Sequence, residues 1–298
     1  MANNILFIID KLELKYFEYN KLVTDFWLIK EMLERGENVS VTTIDKLGLE
    51  KSQPYCNCTK SFIKNGDIFY EKTFEKRFIN DLDLVMFRPD PPVNIDFINA
   101  TYILDFADRS KTLVLNDTQA IRDFNEKLHA NLFYDLMPEN IVTCSKDEIK
   151  EFLFKHKELI LKPLNRCFGS GVMYLKEGDK NTSAIINTMT DNETNLIMVQ
   201  KYIPAAQNGD KRVLMLNGEV YGECVVKLPG NDDFKFNTHS NTFVKKAVLS
   251  EREKEKFTPV AQKLDKMGLS MAGLDVIDEK IIEVNITSPC YFIKEINE

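Results

Sequence analysis

Short apolar runs and one helical stripe take turns along the first third of the chain. Residues 5–10 read as a strand. Residues 22–35 place Phe26, Leu28, Met32 and Leu33 at helical spacing, and Gly36 follows where a helix C-cap belongs. Residues 38–44 are β-branched and alternating. Residues 84–88 and 112–116 are two more short strands, with a helical segment at 98–107 between them. Strands that alternate with helices predict a parallel sheet covered on both faces. Residues 50–75 are polar and predict a loop or a small hairpin.

From about residue 119 the pattern changes to mixed α+β with antiparallel sheet. Residues 146–155 form a helical stretch whose start, Ser145 with Glu148, matches a capping box. Strand-like runs follow at 159–163, 172–175, 196–202, 212–216 and 219–227. Asn217-Gly218, between the last two, is a strong hairpin signal. Ser250 with Glu253 caps a helix reaching about residue 267, and 273–277 with 281–285 form a final strand pair. No repeat or low-complexity segment interrupts the order.

Composition narrows the function. A chain of 298 residues fits two domains, and 44% apolar with 10% aromatic residues supports a substantial core. A net charge of −7 argues against nucleic acid as the main partner, because phosphate backbones demand a basic surface. No apolar run approaches the roughly 18 residues needed to span a bilayer. The first residues lack a basic flank and read as a strand rather than a signal peptide. Six cysteines are scattered, and Cys56 and Cys58 are too close for a structural zinc site. Free thiols in a reducing cytoplasm are the expectation.

Four places carry candidate chemistry. Glu283 and Asn285 are two apart and share a strand face; if Asp275 pairs opposite Glu283 across a loop at 278–280, three oxygen donors converge. Hard oxygen donors without histidine or cysteine suit Mg²⁺, while a solvated hairpin edge is the alternative. Lys162 closes an apolar strand, where an ammonium can meet nucleotide phosphates, and Gly169-Ser170-Gly171 is a turn that lets backbone N–H groups approach phosphate. Gln200, Lys201, Tyr202 and Ile203 close another strand, whose exposed backbone can pair with a base edge. Arg212 follows Asp210 and can clamp a carboxylate or phosphate with two parallel bonds.

The order and wording of these segments resemble the ATP-grasp family and, within it, bacterial glutathione synthetase. The resemblance rests on Arg88-Pro-Asp-Pro-Pro, Asn99-Ala-Thr-Tyr-Ile-Leu, Arg122-Asp-Phe-Asn-Glu-Lys-Leu, Leu161-Lys-Pro-Leu, Asn208-Gly-Asp-Lys-Arg-Val-Leu and Glu283-Val-Asn-Ile-Thr-Ser-Pro, and runs from about residue 3 to 295. It implies a Rossmann-like N-terminal parallel-sheet domain over residues 1–118, for substrate binding. An ATP-grasp domain would follow over 119–298, with a lid at about 135–203 and a catalytic core at about 204–298.

By the same resemblance, Lys127 and Lys162 contact the nucleotide phosphates, as does the 169–171 turn. Residues 200–203 hold adenine, and Asp210 ends the nucleotide-contacting stretch. Asp275, Glu283 and Asn285 bind two Mg²⁺ ions, with Mn²⁺ as an alternative. Arg212 stabilises an acyl phosphate, and Arg88 and Ser288 help to hold a dipeptide. Lys235 and Asn237 stand at the arginine and asparagine positions of a catalytic loop. Arg166 and Phe168 replace glycines of the family's phosphate turn. The implied reaction joins glycine to γ-glutamylcysteine with ATP, in a cytoplasmic homo-oligomer, a tetramer by family precedent. Membranes and nucleic acids are not expected partners. A ligase with another acceptor amine and a non-catalytic nucleotide-binding relative remain alternatives.

Overall fold

The computed structural model describes residues 2–11, 24–167, 169–228 and 243–297. Among these residues three sheets follow one another. The first is built around β1 (Asn4–Ile8), β2 (Asn38–Thr42), β7 (Leu84–Phe87) and β8 (Leu113–Leu115), which run parallel in the order β2-β1-β7-β8. Phe7, Ile8, Val85 and Phe87 are essentially buried, as expected where helices cover both faces. Helix α1 (Thr24–Glu34) closes with Gly36 at φ +83°, where a side chain would be strained. Helix α2 (Ile95–Leu104) begins three residues earlier than the apolar pattern predicts, because Asn94 caps it at the Phe97 amide.

The polar stretch at 50–75 is neither a loop nor a minimal hairpin. It holds β3 (Leu47–Glu50), the long β4 (Gln53–Lys64), β5 (Asp67–Tyr70) and β6 (Glu75–Phe78), which join the parallel core through the antiparallel pair β2–β4. The first sheet is therefore mixed. Its alternation is hidden in the sequence because β4 buries small residues, Cys56, Cys58, Thr59 and Ser61, instead of large aliphatics. Both cysteines are free and lie in the main core.

The second sheet, ordered β11-β10-β12-β9, is antiparallel: β9 (Asn140–Thr143), β10 (Glu158–Pro163), β11 (Met173–Lys176) and β12 (Ile197–Lys201). Helices α4 (Lys146–His156) and α5 (Thr182–Thr190) pack on one face through Ile149, Leu153 and Ile186 against Leu159, Leu161 and Val199. They are preceded by the short α3 (Thr118–Asp123). The Ser145 hydroxyl caps α4 at the Glu148 amide, but the Glu148 carboxylate turns to Thr143 instead of completing the box.

The third sheet comprises β13 (Asp210–Leu216), β14 (Glu219–Val220), β15 (Glu223–Leu228), β16 (Phe243–Val248), β17 (Met271–Ile277) and β18 (Lys280–Asn285). Asn217 and Gly218 make the β13–β14 turn at φ +50° and +76°. The strand expected over 219–227 is interrupted at Tyr221-Gly222, after which β15 pairs with the other end of β13. Helix α6 (Glu251–Lys266) carries the full capping box of Ser250 and Glu253 and is followed near the end of the chain by α7 (Ile293–Asn297).

The final hairpin turns on two residues, Asp278 and Glu279, not three. A plain two-residue turn would pair Asp275 with Ile282 and throw Glu283 to the far face. A bulge between Asp275 and Val276 leaves Ile282 without an opposite number and restores Asp275 opposite Glu283.

Candidate active site

The third sheet has two unlike faces. Cross-strand partners point to the same side of an antiparallel sheet. The pairs Asp210↔Lys227, Arg212↔Asp275, Asp275↔Glu283 and Gly273↔Asn285 therefore gather six polar side chains on one face. The other face turns Val213, Met215, Leu274, Val276 and Val284 into the core with Phe257, Val260 and Leu264 of α6. Charges on a sheet packed this way need counter-charges.

Each carboxylate has one. Arg212 forks onto Asp275, Nε to Oδ1 at 2.6 Å and Nη2 to Oδ2 at 3.2 Å. Lys227 Nζ sits between Asp210 Oδ2 at 3.0 Å and Asp275 Oδ1 at 3.1 Å. Lys127 Nζ lies 2.8 Å from Glu283 Oε1 and donates to the Arg166 carbonyl at 2.6 Å. Asn285 Nδ2 reaches Asp275 Oδ2 at 3.4 Å.

The second sheet faces this one. Lys162, buried at the end of β10, donates to Gln200 Oε1 at 2.8 Å and to the Ile282 carbonyl at 3.1 Å. The acceptor is the bulged residue, so the irregularity that sets the register also meets the lysine across the cleft. Gln200 Nε2 and Asp210 Oδ1 are buried and have no hydrogen-bond partner among the described residues. Such orphans cost free energy unless a ligand satisfies them.

Electrostatics follow the packing. Burial lowers Lys162 to about 8. Burial opposes the charge on Asp275, but Arg212 and then Lys227 hold it well below the usual carboxylate range. Burial likewise opposes Lys127, and Glu283 outweighs it. Asp210 is pushed up to about 7, mainly by burial, against the pull of Lys227.

The other sequence candidates are placed as follows. Gly169 and Gly171 adopt φ of +67° and +73°, and a Cβ on Gly171 would stand 3.1 Å from Pro163 Cγ. The Ser170 amide donates to the Cys167 carbonyl. The amides of Lys201 and Tyr202 are not open to a base edge as expected, because they bond the carbonyls of Glu139 and Glu158. Arg88 is buried, with Nε on Asp25 Oδ1 at 2.6 Å and Nη2 on the Pro289 carbonyl at 3.1 Å. It braces the segment after Ser288. Asp90, two residues on, hydrogen bonds Ser288 and is raised to about 7 by burial and then by Asp10 and Asp25. Lys235, Asn237 and Phe168 lie outside the described residues. Lys227 carries no signal in the sequence pattern: a lysine closing an apolar strand reads as a surface residue until its pairing with Asp210 is known.

Asp275, Glu283 and Asn285 offer oxygen donors from adjacent strands. Among the described residues no group of three His, Cys, Asp or Glu side chains is placed to hold a metal. Two carboxylates and an amide oxygen suit a hard cation that takes its remaining ligands from phosphate, as Mg²⁺ does. The donor set fits that ion, and the three cations now on the carboxylates mark where positive charge is favourable.

Comparison with known proteins agrees in order and extent. The model of the prokaryotic glutathione synthetase N-terminal domain matches residues 4–122, and that of the prokaryotic glutathione synthetase ATP-grasp domain matches residues 126–298. The glutathione synthetase of Salmonella typhi is 37% identical over 268 residues, covering 89% of this chain and 85% of the relative. That of Escherichia coli O127:H6 is 39% identical over the same extent. Among solved structures, D-cycloserine synthetase gives a TM-score of 0.68 at 13% identity, covering 97% of this chain and 93% of its own. D-alanyl-alanine synthetase A of Vibrio cholerae gives 0.62 at 13%, covering 99% and 93%. Likeness at that identity speaks to the ATP-grasp fold alone. With matches across both domains and through the paired face of the third sheet, the chain belongs to the prokaryotic glutathione synthetase family.

Proposed function

We propose that this chain is an ADP-forming ligase that joins glycine to γ-glutamylcysteine and releases glutathione and phosphate. The observation that carries the reading is the cleft between the second and third sheets, where Lys127, Lys162, Arg212 and Lys227 converge on Asp210, Asp275 and Glu283. Phosphoryl transfer to a carboxylate makes little covalent demand on a protein; it needs positioning and charge neutralisation.

In the forward reaction the γ-phosphate passes to the C-terminal carboxylate of the dipeptide, and the glycine amine then displaces phosphate from the acyl phosphate. Lys127 and Lys162 hold the nucleotide phosphates. Gln200, with its unpartnered amide, and Ile203 take the adenine. Arg212 offers a planar fork to the acyl phosphate and to the oxyanion formed by amine attack, and Lys227 adds charge beside it. Asp275, Glu283 and Asn285 would hold Mg²⁺, which when bound neutralises phosphate oxygens and polarises the transferring group. We further propose two such ions, with Mn²⁺ as a substitute.

Asp90 and Ser288, braced by Arg88, receive the dipeptide. Lys235 and Asn237, outside the described residues, are proposed as catalytic residues on the strength of the family resemblance alone. A division near residue 118, with a lid at about 135–203, is supported by the strands: the first sheet ends at Leu115 and the second starts at Asn140. A cytoplasmic homotetramer completes the reading.

The test is phosphate release from ATP with γ-glutamylcysteine, screened against glycine, alanine, serine, β-alanine and no amine. Turnover with glycine alone is the expected result. Turnover confined to another amine redirects the acceptor, which the lysine at position 235 motivates. ATP binding without release identifies a non-catalytic relative.

A further inference from the structure

The three consecutive residues Asn125, Glu126 and Lys127 run along the outer edge of β18 and reach three separate segments. Asn125 Nδ2 donates to the Leu164 carbonyl at 2.9 Å, beyond the end of β10, and its Oδ1 receives the Lys127 and Leu128 amides. Lys127 reaches Arg166 and Glu283. Glu126 points to neither. Its carbonyl accepts the Val284 amide at 3.0 Å. Its carboxylate Oε1 accepts the Ile286 amide at 2.8 Å, the Thr287 amide at 3.1 Å and the Thr287 hydroxyl at 3.1 Å.

A carboxylate is costly in this place. Burial raises its pKa, and Glu283 raises it further. The convergence of three donors on one oxygen offsets part of that cost. The chain leaves regular structure at Asn285, so the turn of Ile286, Thr287 and Ser288 depends on side chains for its shape. Asn116 holds it from the first sheet, with Nδ2 on the Ile286 carbonyl at 2.9 Å, and Glu126 holds its amides from the other side. An apolar residue at 126 would leave two amides and a hydroxyl without their acceptor.

We infer that Glu126 is a positioning residue that fixes the Thr287–Ser288 turn in its dipeptide-receiving shape while making no contact with any of the three substrates. The inference rests on the proposed reading that this turn receives the dipeptide. Glutamine keeps the accepting oxygen and loses only the charge, whereas alanine loses the acceptor, so the two substitutions separate geometry from charge.

The experiment uses the full chain and measures KM for γ-glutamylcysteine, KM for ATP, kcat and Tm in Glu126→Ala, Glu126→Gln and Ser288→Ala. Glu126→Ala is expected to raise the dipeptide KM by about 10-fold with the ATP KM within about 3-fold of wild type. Glu126→Gln is expected to return the dipeptide KM to within about 3-fold of wild type. A lowered Tm and kcat with both KM values unchanged would mean ordinary structural support and overturns the inference. If Glu126→Ala does not fold, Thr287→Val removes one donor to the same oxygen and is expected to raise the dipeptide KM about 3-fold; no rise overturns the inference. Ser288→Ala separates the two levels. A raised dipeptide KM there, with none in Glu126→Ala, overturns the inference alone. No change in Ser288→Ala overturns the reading of the turn and takes the inference with it.

Discussion

Lys162→Met is expected to leave the ligand-free protein more stable and to weaken its hold on ATP. Lys162 is only 7% exposed, and burial lowers its pKa from 10.5 to about 8. At about 1.36 kcal/mol per pKa unit, keeping it charged costs the folded state about 3 kcal/mol near pH 7. Methionine removes that cost and fills similar space. Against it, Gln200 Oε1 and the Ile282 carbonyl lose their donor, at about 1 kcal/mol each, the low end for an unsatisfied acceptor. The net gain is about 1 kcal/mol.

The pH dependence carries the sign. The folded pKa lies below the unfolded one, so between about pH 8 and 10.5 the unfolded chain keeps a proton that the folded protein has lost. Wild-type stability therefore climbs relative to the variant across that window. The variant's lead shrinks by about 2 kcal/mol from about pH 7.5 to about pH 10 and changes sign. Urea unfolding of both proteins at the two pH values measures the gap, and titration with a non-hydrolysable ATP analogue measures affinity, expected to fall about 10- to 100-fold. A variant already less stable at the lower pH, or a gap that does not move, would refute the account of a lysine held charged against burial.

Three other substitutions probe separate parts. Glu283→Gln keeps an oxygen for Lys127 but loses the carboxylate proposed to bind metal; turnover should vanish while Tm stays within a few degrees, and unchanged activity would sink the metal assignment. Lys227→Met leaves Asp210 and Asp275 short of a buried counter-ion; a loss of about 2–4 kcal/mol in urea unfolding and a lower kcat are expected, and a neutral result on both counts would remove Lys227 from the site. Gly218→Ala adds a Cβ whose nearest neighbour is 3.5 Å away, so only the φ of +76° resists it; stability should fall by about 1 kcal/mol with kcat unchanged.

The chain by itself determined what depends on neighbours a few residues away. Ser250 and Glu253 cap a helix, Asn217-Gly218 turns a hairpin, and Glu283 and Asn285 share a face because strand side chains alternate. The candidate site was legible there as a set of residues, through motif order and through Lys162 at an apolar strand end. Its arrangement was not. Arg88 reads as a free cation until Asp25, 63 positions earlier, engages it, and Lys227 reads as a surface end until Asp275, 48 positions later, meets it. The 50–75 segment hid its longest strand because small residues, Cys56, Cys58, Thr59 and Ser61, fill the inward positions of β4. The bulge at Ile282 is likewise invisible in the pair Ile281-Ile282, yet it decides which face Glu283 takes. These outcomes belong to the tertiary structure because the energy of a buried charge or a strand register is set by what packs opposite, and sequence spacing does not carry that.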